Sequence, residues 1–268
     1  CQWNASPGAH DVCVYTSFPN QLPDEFPDDD TACAVLTVFD TVTATTAGYC
    51  NDFETGPTWV ALNTSTFVNV NQSWELGSPS KAIITGPHGG ANCWSTKLTG
   101  DYPNNDESSL YTPVFNVVQG RCYEMRFWHN FDMDLFNDGG LVEFSIDSAA
   151  TWKSFGDFGD QINWYNALYV AAFNQGLVPA FTGTYGAWVE SVHEYKSLTT
   201  GTIMFRFRFA SDQTNTREGW AIDDFCFKQQ TSPCVLTGVA ENTGNGWYLN
   251  QNTPNPANGL TTINYAIL

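Results

Sequence analysis

Positive charge is scarce in this 268-residue chain: Lys and Arg number 10 against 28 Asp and Glu, a formal charge of −18. Such a surface repels phosphate backbones and anionic lipid, which argues against nucleic-acid and membrane binding by charge. It suits divalent cations and neutral polymers, and it keeps an exported protein dispersed. Long apolar runs are missing as well, so nothing reads as a membrane-spanning helix. The N-terminus carries no signal peptide, which for an exported protein reads as a sequence beginning after processing. No C-x-x-C occurs, and no Cys/His cluster has zinc-ligand spacing. Catalytic signatures are missing too. His193-Glu194-Tyr195-Lys196 lacks the second His of H-E-x-x-H, and there is no G-x-S-x-G elbow. Catalysis is therefore assigned to no residue.

What is present is a globular composition, 42% hydrophobic and 15% aromatic. The 8 cysteines, even in number and without metal spacing, point to disulfides and an oxidising compartment. Proximity favours Cys13–Cys33 and Cys226–Cys234 as pairs. Helical periodicity is rare. Short runs such as "TACAVLTVF", "LVEFSI" and "TIMFRFRFA" alternate with period two between Gly, Pro, Asn and Asp. In the last of these, Ile203, Phe205, Phe207 and Phe209 share one face and Met204, Arg206 and Arg208 the other, a strand with one buried face. The pattern predicts an all-β, two-sheet antiparallel jelly-roll sandwich.

Composition divides the chain. Residues 1–49 read as the end of a preceding Ig-like module and a Thr/Ala-rich linker, residues 50–229 as the complete sandwich, and 230–248 as a second linker. Residues 249–268 read as the truncated start of a small β domain. Within 50–229, "CNDFETGPTWV" and "GWAIDDFCF" place Asp52 and Glu54 near the first strand and Asp223 and Asp224 near the last. First and last strands of a sandwich commonly lie together, so these acids either converge on a hard cation such as calcium or simply face solvent. The spacing leaves both open.

"FETGPTW", "SWELGSP", "DGGLVEFSIDSAATW" and "GWAIDDF", in that order, resemble the jelly-roll domains of the MAM type and the β-sandwich appended to immune-inhibitor-A-like peptidases. The resemblance implies a non-catalytic sandwich with a structural calcium at Glu54 and Asp224, with Asp223 and Asp52 beside them. "SIDSAATW" also resembles the Asp-box of sialidase-like hairpins, with Ala149 or Ala150 where Gly is expected; its role is structural, with Asp147 capping its own turn over Trp152. Asp132, Asp134 and Asp138 mimic a glycosidase pair but read more easily as a turn or second cation loop around Asp138-Gly139-Gly140.

Exposed rings that stack on sugar are expected in polar, Gly-flanked loops, at Trp164, Tyr165 and Trp188. For any one of these residues, core filling is the commoner role. Thr31, Thr41 and Ser148 each follow an Asp and precede an apolar residue, which resembles the O-glycosylation motif of Bacteroidetes exported proteins. The closing stretch "LNQNTPNPANGLTTINYAI" resembles the start of the C-terminal sorting domain of the type IX secretion system. The match rests on Gln251, Asn252, Pro254, Asn255 and Pro256, followed by Thr262, Ile263 and Tyr265. It implies export to, or attachment at, the outer membrane, with the secretion machinery as a partner. The expected function is thus a secreted, cell-surface binding or adhesion region with a glycan or surface protein as ligand. The alternative is the accessory C-terminal region of a secreted metallopeptidase or subtilase.

Overall fold

The computed structural model describes residues 5–6, 8–15, 31–56, 58–66, 71–173, 176–232, 234, 248–249 and 265–266. The chain divides into two compact units, Cys1–Pro233 and Cys234–Leu268. In the first unit the strands are β1 (Gly8–Tyr15), β2 (Thr31–Val38), β3 (Thr41–Thr43), β4 (Tyr49–Asn51), β5 (Val60–Asn63), β6 (Trp74–Gly77) and β7 (Cys93–Thr96). They continue with β8 (Glu107–Val117), β9 (Cys122–Asp132), β10 (Gly139–Ser145), β11 (Lys153–Ser154), β12 (Val189–Lys196), β13 (Gly201–Ala210) and β14 (Gly219–Gln229). The second unit contributes β15 (Tyr248–Leu249) and β16 (Tyr265–Ala266), paired antiparallel. The sorting residues Gln251, Asn252, Pro254, Asn255 and Pro256 lie outside the described residues.

Strands β1 and β2 form an antiparallel hairpin whose register sets Cys13 opposite Cys33, and these two are bonded as expected. The other pairing differs from expectation. Strand β14 pairs with β4, which places Cys226 opposite Cys50, and the disulfide joins those two strands of one sheet instead of Cys226 and Cys234. Disulfides fit an extracytoplasmic, oxidising compartment.

The remaining strands build two six-stranded sheets. The first runs β11–β10–β13–β8–β3, with β5 also on β8. The second runs β12–β9–β14–β7–β6, with β4 also on β14. All pairings are antiparallel except β3 with β8. The architecture is the expected all-β sandwich. Strand β3 comes from the stretch read as linker: its Thr and Val residues need only three ladder pairs to join the sheet.

Period-two alternation explains the core. Ile203, Phe205, Phe207 and Phe209 of β13 face Tyr123, Met125, Phe127, His129 and Phe131 of β9, all fully buried. Rings interlock between the sheets, Phe127 with Phe207 at 5.0 Å edge-to-face and Phe205 with Phe227 of β14 at 5.1 Å. The opposite face of β13 is not solvent-exposed as expected: Met204, Arg206 and Arg208 are 3%, 6% and 7% exposed. A smaller core of Leu62, Tyr111 and Met204, with Phe39, Ala149 and Trp152 packed against it, covers that side. The Arg206 guanidinium lies 4.3 Å above the Trp152 ring and 2.6 Å from Glu143. The Asp-box turn supplies that Trp. The Asp147 carboxylate accepts from Thr151 N at 2.9 Å and from the Thr151 hydroxyl at 2.6 Å, while Ser148 and Ala149 take positive φ.

Candidate functional site

Glu54 from the start of the sandwich and Asp223 from its last strand both bind one loop, residues 80–92. Strand β14 bulges between Asp223 and Cys226, and Asp224 sits in the bulge with φ of 47°. Bulges re-aim side chains. Here Asp223 Oδ2 accepts from His88 N at 2.9 Å and Gly89 N at 3.1 Å, while Oδ1 accepts from Asp224 N at 2.8 Å. Burial pushes Asp223 up to about 6. Glu54, carried by a turn in which Phe53 has φ of 60°, accepts from Ala91 N and Asn92 N, both at 2.8 Å. A Cβ on Gly90 would lie 2.3 Å from Glu54 Oε1, so only glycine lets the carboxylate approach this closely. Further along β14's entry, the Glu218 carboxylate accepts from the backbone N–H of Ala82, Ile83 and Ile84. Half-buried Lys81 donates to Thr96 O at 3.0 Å, and desolvation lowers its amine to about 8. Residues 80–92 are thus fastened to the second sheet by carboxylates that satisfy backbone donors.

Asp52 and Asp224 share a depression of about 190 Å³ with Asn51, Cys50, Phe225 and Cys226. Asp52 Oδ1 accepts from Glu54 N at 3.2 Å, and Asp224 Oδ2 meets His88 Nδ1 at 2.6 Å. Among the described residues, Asp52, Glu54, Asp223 and Asp224 do not bring three ligand oxygens within 4.8 Å of one another.

His88 then does something the sequence did not announce. Its ring stacks on Trp128 with centroids 3.9 Å apart and planes 11° from parallel, and Trp188 stands at 5.9 Å edge-on. Trp188 donates its indole N–H to Gly86 O at 3.2 Å. All three rings keep part of their surface in water. Beside them on the same outer face, Arg126 bridges Glu124 and Glu190. Trp188 is therefore part of a partly exposed aromatic step. Trp164 and Tyr165 are not. They are 3% and 1% exposed, with the Trp164 indole donating to Phe155 O and the Tyr165 hydroxyl to Val142 O. The polar flanks that suggested exposure close over them. Trp128 and His88 were missed, although alternation in "CYEMRFWHNFD" already puts Trp128 on the side opposite Tyr123, Met125, Phe127 and His129.

Two sets resemble catalytic machinery and are structural. Trp220 Nε1 lies 3.1 Å from His129 Nδ1, and an indole nitrogen only donates. His129 therefore carries its proton on Nε2 and donates it to Ser191 Oγ at 2.9 Å, while Ser191 donates to Asn163 O at 2.6 Å. Protons run from His to Ser, the reverse of nucleophile activation, and burial depresses His129 to about 3. In the acidic turn, Asp138 accepts from the Tyr102 hydroxyl at 2.6 Å and Asp212 N at 2.7 Å, and burial raises it to about 6. Asp134 holds Asn137, and Asp132 accepts from Thr184. The turn closes at 134–138, ahead of the glycines: Gly139 and Gly140 already belong to β10.

No family model matches the chain. In sequence it is similar to Bacillopeptidase F of Bacillus subtilis (strain 168), 28% identical over 193 residues, 70% of this chain and 11% of that relative. The chain thus spans only a small part of that protein. Among solved structures it is similar to TmCBM61 in complex with β-1,4-galactotriose, with TM-score 0.40 and 15% identity over 67% of this chain and 94% of that one. It is also similar to the K1 cleaved adhesin domain of Lys-gingipain from Porphyromonas gingivalis W83, with TM-score 0.38 and 14% identity over 67% and 96%.

Proposed function

We propose that this chain is a non-catalytic recognition region of an exported protein, presenting the outer face of its second sheet to a glycan or surface protein. The observation that carries the reading is the step of Trp128, His88 and Trp188. Trp59, Trp74, Trp94, Trp164 and Trp220 are all buried, whereas Trp128 on β9 and Trp188 before β12 are partly exposed beside His88, which sits in a loop that three carboxylates fasten. Rigid rings kept in water offer contact area at low entropic cost. In a glycan array and a surface-protein pull-down, Trp128→Ala and Trp188→Ala should each weaken binding about tenfold, roughly the loss of one good stacking contact. Unchanged binding in both variants would overturn the reading.

A second reading is favoured by the similarity to Bacillopeptidase F: accessory C-terminal domains of a secreted peptidase whose catalytic domain lies elsewhere in a longer polypeptide. An H-E-x-x-H or a Ser/His/Asp set upstream in the gene product would decide for it.

The export route is proposed on the terminal motif alone, with the type IX secretion and attachment machinery as the partner. Removing everything after Trp247 should stop secretion, and undisturbed export would remove the assignment. Calcium is proposed as a stabiliser at Asp52 and Asp224, supported by the carboxylate oxygen that each leaves without a described hydrogen-bond donor in their shared depression. Glu54 and Asp223 serve backbone N–H groups there. Chelation with EDTA should lower the melting temperature, because a ligand bound only to the native state stabilises it; an unchanged melt sinks the site. O-glycosylation is proposed at Thr41, exposed on β3, at Ser148, exposed in the Asp-box turn, and at Thr31, which begins β2 and whose side chain is not described. Bare peptides at all three positions in mass spectrometry would dismiss it.

A further inference from the structure

A cleft of about 450 Å³ opens where β8 begins and β13 ends, far in sequence from the aromatic step. Its volume is in the range of small-ligand sites. Asn105 and Glu107 form one wall, Ser211, Asp212 and Gln213 the other, and Ala171 and Ala172 the third. The first two walls are tied together. Asn105 N donates to Asp212 O at 2.6 Å, and Ser211 N donates to Asp106 O at 3.1 Å.

The polar groups facing this space have an uneven balance. Among the described residues, the side-chain amides of Asn105 and Gln213 make no hydrogen bond. Asp212 Oδ1 accepts from Thr214 N at 2.7 Å and from its hydroxyl at 3.1 Å, which leaves Oδ2 available. The Glu107 carboxylate is compensated by Arg208, which also approaches Glu143 and lies over the Phe173 ring. Behind the alanine wall, the carbonyl of Phe136, a residue 54% exposed, accepts from Ala171 N at 2.9 Å. Asn105 and Phe136 both have positive φ, 56° and 64°. For a residue as bulky as Phe this is an outlier that persists only where its surroundings hold it, here Thr182 Oγ1 accepting from Phe136 N.

Amides donate and accept, while a carboxylate only accepts, so the partner must offer both donors and acceptors. The guanidinium is committed to two glutamates, so among the described residues no free cation lines the cleft to greet a phosphate, sulfate or uronate. The Ala171 and Ala172 wall asks for an apolar face between the polar edges. We infer that this cleft binds one unit of a neutral pyranose oligosaccharide. The inference deepens the recognition reading by naming a ligand class, at a place separable from the aromatic step by mutation.

The test titrates the isotope-labelled chain with β-1,4-galactotriose, xylotriose and maltotriose and follows the backbone amides of 105–107, 171–172 and 211–213. At least one trisaccharide should shift them at millimolar concentration. Gln213→Ala and Asn105→Gly, the latter keeping the left-handed backbone, should each weaken that binding about tenfold, while Leu198→Ala, at a 74% exposed position outside the cleft and the aromatic step, leaves it unchanged. No shift at these amides with any of the three sugars overturns the inference, as does wild-type affinity in both cleft variants. Binding lost in Trp128→Ala but kept in Gln213→Ala overturns it as well, and leaves the aromatic-step reading standing.

Discussion

Glu143 stands between two guanidinium groups on a face that water does not reach: its side chain is 6% exposed, with Arg206 at 2.6 Å and Arg208 at 4.0 Å. A buried ion pair is costly to break from one side, because the partner keeps its charge. Glu143→Ala should therefore lower unfolding stability by about 3–5 kcal/mol in urea titrations. Glu107→Ala should cost less, since its side chain is 32% exposed and water replaces it. Gly140 makes a complementary prediction. An added Cβ would sit 2.4 Å from the Trp220 ring, so Gly140→Ala should cost about 1–3 kcal/mol and disturb Trp fluorescence. The period-two reading found the inward Phe residues of β13 but treated Arg206 and Arg208 as solvent-facing. Charge marks the outer side of a strand, yet it cannot show that Glu143, Trp152 and Phe39 arrive from distant segments to cover that side.

At the scale of elements, the segment 80–92 has little regular structure and is held by carboxylates from elsewhere. Glu218 satisfies three consecutive backbone donors, and replacing it with Gln turns one acceptor edge into a donor facing N–H groups. Glu218→Gln should cost about 1–3 kcal/mol. Hydrogen exchange should quicken at Ala82, Ile83 and Ile84 while β9 and β13 keep their protection. Uniform acceleration across the sandwich would contradict this local role. The strands themselves were plain in the sequence because Val, Ile and Phe alternate between turn residues. The long connection from Ser154 to Val189 was not. Asn, Gly and Thr around Trp164 and Tyr165 look like a wet loop, yet the indole and phenol each reach a backbone carbonyl inside, and that long-range satisfaction leaves no local mark.

For the whole molecule, acidity couples to stability through two carboxyls that the fold hides. Asp138 and Asp223 are fully buried, and burial raises both from 3.8 to about 6. Between those values the folded chain holds protons that the unfolded chain has released. Their contribution to stability is complete below about 3.8 and is lost as pH rises through about 6. Asp147 runs the other way. Hydrogen bonds from Thr151 and Ser145 lower it to about 2, so its contribution is present at neutral pH and lost as pH falls toward that value. The −18 charge reinforces the first trend, because self-repulsion grows as carboxyls ionise. The melting temperature should therefore be higher near pH 5 than near pH 7.5 at fixed ionic strength. In Asp138→Asn/Asp223→Asn the difference should shrink, since Asn keeps an acceptor for the Asp212 and Gly89 N–H groups without a proton to release. Raising salt should reduce only the part due to general repulsion, which acts over a screening length of about 10 Å. A double variant whose pH profile overlays the wild type would show that these two acids are not what ties the fold to acidity.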